Sequence, residues 1–155
     1  MDRQRAEEAY ARCAPAMYRL CFAYLKNAAD AQDTVQTAFL RFLQKAGPME
    51  PEHERAWLLR TAANVCRDEL RHWWKHRRQE LPAELPDPGD GARGREVRDQ
   101  VWALEEKYRV VLYLHYFEGY TAEETAAILG RNASTVRTQL VRARELLKLE
   151  WEETP

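Results

Sequence analysis

The chain has 155 residues, 45% hydrophobic and 32% charged, a balance typical of a soluble globular protein of one or two small domains. Seven prolines and six glycines are too few for a collagen-like or low-complexity chain. No apolar run approaches the ~18 residues of a membrane span, and the charged N-terminus lacks an apolar signal segment, so we expect neither membrane insertion nor secretion. The three cysteines lack paired spacing, which favours a cytoplasmic protein over a disulfide scaffold.

Charge is unevenly distributed along the chain, although its net value is only -1. The first 80 residues carry more basic than acidic side chains, whereas the remainder is net acidic. Basic residues cluster in two segments, 67–78 and 131–148, with five Lys or Arg in each. Two local basic segments on a near-neutral chain indicate two separate contacts with a polyanion.

Hydrophobic periodicity predicts helices along almost the whole chain, and no segment shows the strict alternation of a half-buried strand. The expected helices are 4–26, 30–46 and 53–77 in the first half and 94–105, 107–117, 122–129 and 133–150 in the second. Between the halves, residues 81–94 contain three prolines and three glycines, a composition typical of a solvated linker. We therefore predict an all-α protein with two small helical domains, of three and four helices, joined by a flexible linker.

The second predicted helix carries an exposed apolar side chain among polar ones. Its inward-facing residues are Ala31, Val35, Phe39 and Phe42. Beside that face, Asp33, Gln36 and Leu40 fall together on a helical wheel. An exposed leucine between two polar side chains suits a protein interface better than a DNA contact.

The third predicted helix places cations and one amide on a single face. The members of this stripe are Arg60, Asn64, Arg67, Arg71 and Lys75. Its cations can follow phosphates, and the Asn64 amide can bond a base edge. Trp57 and Trp74 flank the stripe and have rings that can stack on exposed bases. For Trp57 and Trp73 we favour a role in closing the core, because tryptophan is mostly buried.

The segment from Thr121 onward has the layout of a helix-turn-helix, with a short helix, a tight turn and a longer basic helix. Thr121 and Glu124 form a capping-box pattern. Gly130 supplies a residue that tolerates the left-handed conformation, and Asn132 or Ser134 can cap the last helix.

The last helix has an apolar back and a polar front. The back consists of Val136, Leu140, Ala143 and Leu147, and the candidate DNA contacts on the front are Ser134, Arg137, Thr138, Val141 and Arg142. Arginine can bond two guanine acceptors at once, and short side chains allow close approach to bases and phosphates. The pattern favours a major-groove helix, and the alternative is an ordinary amphipathic helix with a solvated basic face.

Taken together, these motifs resemble an extracytoplasmic-function (ECF) sigma factor of the sigma-70 family, the promoter-recognition subunits of bacterial RNA polymerase. The segment DAQDTVQTAFLR at 30–41 resembles the polymerase-binding helix of that family, and AWLLR at 56–60 with its continuation to Arg71 resembles the −10 recognition helix. The motif YFEGYT at 116–121 resembles the C-terminal domain, and TVRT at 135–138 resembles the −35 recognition helix.

The resemblance implies a sigma factor that binds core RNA polymerase and promoter DNA. It implies sigma domain 2 at 1–78, a linker at 79–94 and sigma domain 4 at 95–150. Asp33, Gln36 and Leu40 would contact the polymerase, and the stripe from Arg60 to Lys75 would capture the melted −10 strand, with a splayed base near Asn64. The front of the last helix would recognise the duplex −35 element. The resemblance also implies an anti-sigma partner, and neither a cofactor nor a catalytic residue.

Four residues depart from the family pattern. Gln32 stands where an acid is frequent, and the pair Trp73–Trp74 stands where a run of arginine is common. Gln139 replaces a frequent arginine of the recognition helix, which removes one expected phosphate contact.

Other functional classes are a helix-turn-helix regulator that does not join the polymerase and a sigma-like decoy that binds a regulator protein. The strand-binding pattern in the first half argues against such a regulator, and the two basic faces argue against a decoy. An enzyme is least expected, because no serine or cysteine has an evident local base partner. His72 and His76 have helical spacing for a metal, but they lack the accompanying glutamate of the HExxH pattern.

Overall fold

The computed structural model describes residues 1–76 and 99–147, with the side chains of all of these except 73–76. Within those ranges the chain is helical apart from short turns, and it contains no strand. The contacts divide the chain into two compact units, one built mainly from each half. The prediction of an all-α protein with two helical units is thus confirmed. The predicted linker, residues 79–94, lies outside the described residues.

The N-terminal unit contains three helices, whose ends follow from local capping. They are α1 (Arg3–Leu25), α2 (Ala28–Lys45) and α3 (Pro51–His76). The Asp2 carboxylate accepts a hydrogen bond from the Arg5 amide, and the Asn27 side chain accepts one from the Asp30 amide, both at 2.9 Å. Each bond satisfies an amide that has no partner within its helix. Pro51 occupies the first position of α3, where its missing N–H costs nothing.

Each of these three helices packs against the other two. The largest side chains of their shared core are Met17, Leu20, Tyr24, Val35, Phe42, Leu58 and Leu59. The side of α3 that faces this core extends from Leu58 to Cys66, both of which are fully buried. Beyond Cys66 the helix extends past the core, since Leu70 is only half-buried. Glu69, which lies on the same side of the helical wheel as Leu58, is therefore exposed.

A buried carboxylate joins the first turn of α3 to α1. Glu54 is only 4% exposed. It accepts a hydrogen bond from Arg5 Nε at 2.7 Å and another from the Arg12 guanidinium. Arg5 also donates to the Gly47 carbonyl at 2.8 Å, so the same cation holds the turn before α3. These charge-assisted bonds fix the start of the helix that carries the predicted −10 stripe.

The C-terminal unit begins, in its described part, with helical residues 99–103. The helices that follow are α4 (Glu106–Leu112), α5 (Ala122–Leu129) and α6 (Ala133–Leu147). Between α4 and α5, Tyr113–Phe117 forms one π-helical turn. There the Glu118 amide donates to the Tyr113 carbonyl, five residues earlier, at 3.2 Å. The predicted helix 107–117 thus exists, but its second half has a different hydrogen-bond register.

Arg109 is a buried residue of α4 whose side chain contacts the segment that precedes this helix. Its guanidinium is 5.5 Å from the centre of the Trp102 ring and donates to the Leu104 carbonyl. Burial lowers the pKa of Arg109 to about 10, and the nearby Glu106 carboxylate acts in the opposite direction. At neutral pH the side chain therefore stays protonated and keeps both contacts.

None of the described helices is both long and apolar enough to cross a membrane. The longest, α3, has 26 residues, but its exposed face is charged. The described residues also contain no group of three His, Cys, Asp or Glu side chains placed to hold a metal ion.

Candidate nucleic-acid interface

The polar stripe predicted on α3 lies on the side of the helix opposite the core. Arg60 and Arg71 are exposed, and Asn64 and Arg67 are half-buried on the same face. The Lys75 side chain lies outside the described residues. Arg60 has no hydrogen-bond or ion-pair partner in the described ranges, whereas Arg71 pairs with Asp68. An extended strand following these cations would pass directly over Asn64.

Asn64 and Arg67 are joined by a hydrogen bond on this face. The Arg67 guanidinium donates to Asn64 Oδ1. An asparagine amide has one acceptor oxygen and two N–H donors, and the oxygen is already engaged. Within the described residues Asn64 Nδ2 has no partner, so its two N–H donors remain available for a further hydrogen bond. Sequence reasoning identified both residues but missed their mutual bond.

The Trp57 ring belongs to the hydrophobic core more than to the stripe. It is half-buried and lies 5.5 Å from the Phe42 ring in an edge-on arrangement. This contact supports the predicted core role of Trp57. The side chains of Trp73 and Trp74 are outside the described residues.

The outer surface of α2 presents leucines among polar groups. Asp33, Gln36 and Leu40 are all exposed, and Leu40 retains 56% of its accessible area. Leu43, one turn further along, is exposed as well. Sequence reasoning missed Leu43, although its i+3 spacing from Leu40 was the available signal. We refer to Asp33, Gln36, Leu40 and Leu43 as the α2 surface.

The opposite side of α2 packs largely as its periodicity predicts. Ala31, Val35 and Phe42 are buried, and Phe39 is half-buried. The Phe39 ring is 5.0 Å from the Tyr10 ring on α1, in an edge-on arrangement. This packing fixes which side of α2 faces outward.

The helix-turn-helix begins with the predicted capping box. The Glu124 amide donates to Thr121 Oγ1 at 3.0 Å, and the Thr121 amide donates to Glu124 Oε1 at 2.9 Å. Gly130 has a φ of 69°, the left-handed conformation expected at the end of α5. Because α6 starts at Ala133, Asn132 rather than Ser134 occupies the capping position.

The α6 helix presents its predicted front to solvent. Its back, Val136, Leu140, Ala143 and Leu147, is buried. The five candidate DNA contacts are all exposed: Ser134, Arg137, Thr138, Val141 and Arg142. Their common exposure on one helix face is the arrangement that insertion into a major groove requires.

The two arginines of the α6 front have different surroundings. Arg137 Nη1 donates to Glu123 Oε2 at 2.7 Å, which links the recognition helix to the first turn of α5. Arg142 has no hydrogen-bond or ion-pair partner in the described part of the chain. Glu123 was not singled out from the sequence, because this contact spans 14 residues across the turn.

Gln139, at a position where the family often has arginine, makes an internal contact. Its Oε1 accepts a hydrogen bond from Arg131 Nη1 at 2.9 Å. Arg131 Nη1 also donates to the Lys107 carbonyl at 3.2 Å. The glutamine therefore helps to hold the turn between α5 and α6 against α4.

The three cysteines lie away from these faces. Cys13, Cys21 and Cys66 are all buried. Burial raises the pKa of the Cys13 thiol above its ordinary value, although the neighbouring Arg12 acts in the opposite direction. A buried thiol with a raised pKa is a poor nucleophile.

Comparison with known protein families gives two matches along the chain. Residues 9–76 match the model described as Sigma-70 region 2, and residues 95–147 match Sigma-70, region 4. The first range contains the described part of the α3 stripe and the α2 surface, and the second contains the helix-turn-helix.

Relatives resemble the chain over most of its length. The RNA polymerase sigma factor SigV of Bacillus subtilis is 31% identical over 137 residues, covering 86% of this chain and 82% of SigV. The RNA polymerase sigma factor CarQ of Myxococcus xanthus is 30% identical over 150 residues, covering 92% and 86%. The ECF RNA polymerase sigma factor SigE of Mycolicibacterium smegmatis is 29% identical over 143 residues, covering 85% of this chain and 56% of SigE.

Two solved structures share the fold. One is the sigma factor RpoE in complex with the anti-sigma factor NepR from Bartonella quintana, with a TM-score of 0.71, 19% identity and coverage of 93% of this chain and 97% of RpoE. The other is CnrH in complex with the cytosolic domain of CnrY, with a TM-score of 0.67, 24% identity and coverage of 99% and 92%.

Proposed function

Because the chain belongs to the extracytoplasmic-function group of the sigma-70 family, we propose that its two basic faces read the two elements of one bacterial promoter. The protein is a transcription initiation factor and not an enzyme: it binds core RNA polymerase and directs it to promoters. One observation carries the finer proposal. Region 2 and region 4 follow each other in one chain, and each contains one helix with an exposed basic face.

The α3 stripe is proposed to capture the melted non-template strand of the −10 element. Arg60, Arg67, Arg71 and Lys75 would follow the phosphates. A base turned out of the stack would meet Asn64, whose available donors suit a base acceptor. Extruding a base costs a few kcal/mol, and these contacts would offset that cost.

The α6 front is proposed to enter the major groove of the duplex −35 element. Its contacting side chains would be Ser134, Arg137, Thr138, Val141 and Arg142. The exposure of all five and the burial of the opposite side support this orientation.

The α2 surface is proposed to bind the polymerase core. It joins exposed leucines to Asp33 and Gln36 and lies on a different helix from the DNA-facing stripe. An apolar patch with polar neighbours is suited to a protein interface. The same unit would therefore hold the enzyme and the melted strand on separate helices.

We propose domain limits of 1–78 and 95–150, with 79–94 as the linker between them. Tethering the two DNA-binding units raises the effective concentration of each for one promoter. RpoE and CnrH were solved in complex with an anti-sigma factor and with the cytosolic domain of CnrY, respectively, and we propose an anti-sigma partner for this chain as well. Its place of action would be the cytoplasm, where the polymerase works.

Reconstituted transcription tests this function. Core polymerase with and without the protein would be supplied with genomic DNA fragments, and the RNA start sites would be mapped. We expect new start sites that share a −35 and a −10 sequence. Copurification with core polymerase is a second measurement, because a regulator that does not join the polymerase would fail to copurify. A decoy would leave the start sites unchanged, and identical start sites with and without the protein would refute the proposal.

A further inference from the structure

An ion pair joins the two helices of the helix-turn-helix at the edge of the proposed DNA-facing surface. Glu123 lies in the first turn of α5, and Arg137 lies on the front of α6. Arg137 Nη1 and Glu123 Oε2 are 2.7 Å apart, and both side chains are exposed. Exposed pairs of this kind contribute little to folding stability. The ion pair matters here because it restrains the position of the Arg137 side chain.

The contact leaves most of the Arg137 guanidinium available. Arginine has five N–H donors in a rigid fork, and the bond to Glu123 uses only Nη1. The other side of the fork can still donate to the O6 and N7 acceptors of a guanine. A side chain that is restrained by an existing bond loses less freedom on binding, so the bond to the base is made at lower entropic cost.

The carboxylate also has an effect on phosphate binding. A negative charge beside Arg137 reduces the attraction of that arginine for the DNA backbone, which is itself anionic. Arg142, on the same face, has no partner in the described residues. Arg137 is therefore better suited to contact a base, and Arg142 to contact a phosphate.

We propose that Glu123 is a specificity-determining positioning residue for the −35 element. It holds Arg137 for one base pair and disfavours its use as a general phosphate contact, whereas Arg142 binds phosphate. This inference rests on the proposed −35 role of the α6 front. It assigns no direct DNA contact to Glu123.

Glu124 provides a matched control on the same helix. It is adjacent in sequence, carries the same charge, and bonds the Thr121 amide rather than an arginine. Glu124→Gln removes one negative charge and keeps an oxygen for the capping box, which accepts glutamine as well as glutamate. Any effect of net charge should therefore appear equally in Glu123→Gln and Glu124→Gln.

The experiment measures holoenzyme affinity for promoters with each of the four base pairs at every −35 position. The variants are Glu123→Gln, Glu124→Gln, Arg137→Ala and the double variant Glu123→Gln/Arg137→Ala, with helix content checked by circular dichroism. An arginine–guanine pair discriminates by roughly 5- to 150-fold. We expect Arg137→Ala to abolish the preference at one base pair and Glu123→Gln to reduce it there by about 3- to 10-fold. Glu124→Gln should leave it intact.

Comparing the double variant with the single variants shows whether Glu123 affects base preference through Arg137. If Glu123 acts through Arg137, the double variant should show the same base preferences as Arg137→Ala alone. Equal behaviour of Glu123→Gln and Glu124→Gln, or an additional loss in the double variant, would overturn the positioning role. If Arg137→Ala keeps every −35 preference, base reading by Arg137 is wrong and the inference is overturned with it. Start-site mapping still tests the sigma function separately.

Discussion

Replacing the buried carboxylate between α1 and α3 should loosen the helix that carries the −10 stripe. The proposed change is Glu54→Gln, which keeps the side-chain shape and removes the charge. Glu54 accepts one hydrogen bond from Arg5 and another from Arg12, and hydrogen bonds to charged groups are each worth about 1.5–3 kcal/mol. The substitution weakens both bonds at once.

The burial of the three partners sets the size of the effect. The Glu54 side chain is 5% exposed, whereas the side chains of Arg5 and Arg12 are 25% and 39% exposed. Breaking a buried pair costs about 3–5 kcal/mol when the remaining charge stays buried. Here the remaining cations can reach water, and Arg5 keeps its bond to the Gly47 carbonyl. We therefore expect a smaller loss of about 2 kcal/mol in the stability of the N-terminal unit.

Hydrogen exchange of the slowest α1 and α3 amides in the full chain measures this loss. A change of about 2 kcal/mol corresponds to exchange that is roughly 30-fold faster. The control is Glu7→Gln, because Glu7 pairs with Arg3 on the largely exposed side of α1 and such a pair is worth no more than about 0.5 kcal/mol. If Glu54→Gln accelerates exchange no more than Glu7→Gln, the reasoning about the buried carboxylate is refuted.

Three further predictions concern the interfaces. Asn64→Ala holoenzyme should keep its affinity for duplex −35 DNA but lose base discrimination at one −10 position. Binding to fork templates that carry each base in turn measures this loss. If the variant retains the wild-type preference at every −10 position, Asn64 does not read a base. The double variant Asp33→Ala/Gln36→Ala should bind core polymerase about tenfold more weakly at unchanged helix content, and an unaltered affinity in competition binding would place the interface elsewhere. Arg142→Ala should weaken all duplex sequences alike and reduce the salt slope of binding by about one, whereas a loss confined to one base pair would contradict a phosphate contact.

Local sequence signals predicted much of the fold. The capping box of Thr121 and Glu124 depends on residues three apart, and the Gly130 conformation depends on one residue, so both could be read without knowing the packing. The buried back of α6 follows from a periodicity of 3.6 residues. The exposure of Arg60 and Arg142 follows from the same periodicity.

Features that depend on how helices meet could not be predicted in this way. Glu54 bonds arginines that lie 42 and 49 residues away, and such a partnership depends on the packing of α1 against α3. The bond between Glu123 and Arg137 depends on the angle between α5 and α6. The π-helical turn was missed because a local change of hydrogen-bond register leaves the hydrophobic pattern almost unaltered.

Site-directed photocrosslinking in a single open complex tests most directly whether the two faces contact two promoter elements. The native Cys13, Cys21 and Cys66 are buried, so a thiol-reactive crosslinker should label an introduced cysteine selectively, with the wild-type protein as the unlabelled control. Arg60→Cys places the probe on the α3 stripe, and Thr138→Cys places it on the α6 front. We expect position 60 to crosslink to the non-template −10 strand and position 138 to the duplex −35 element. Crosslinks from both positions to the same element, or from neither position to DNA, would contradict the division of promoter recognition between α3 and α6.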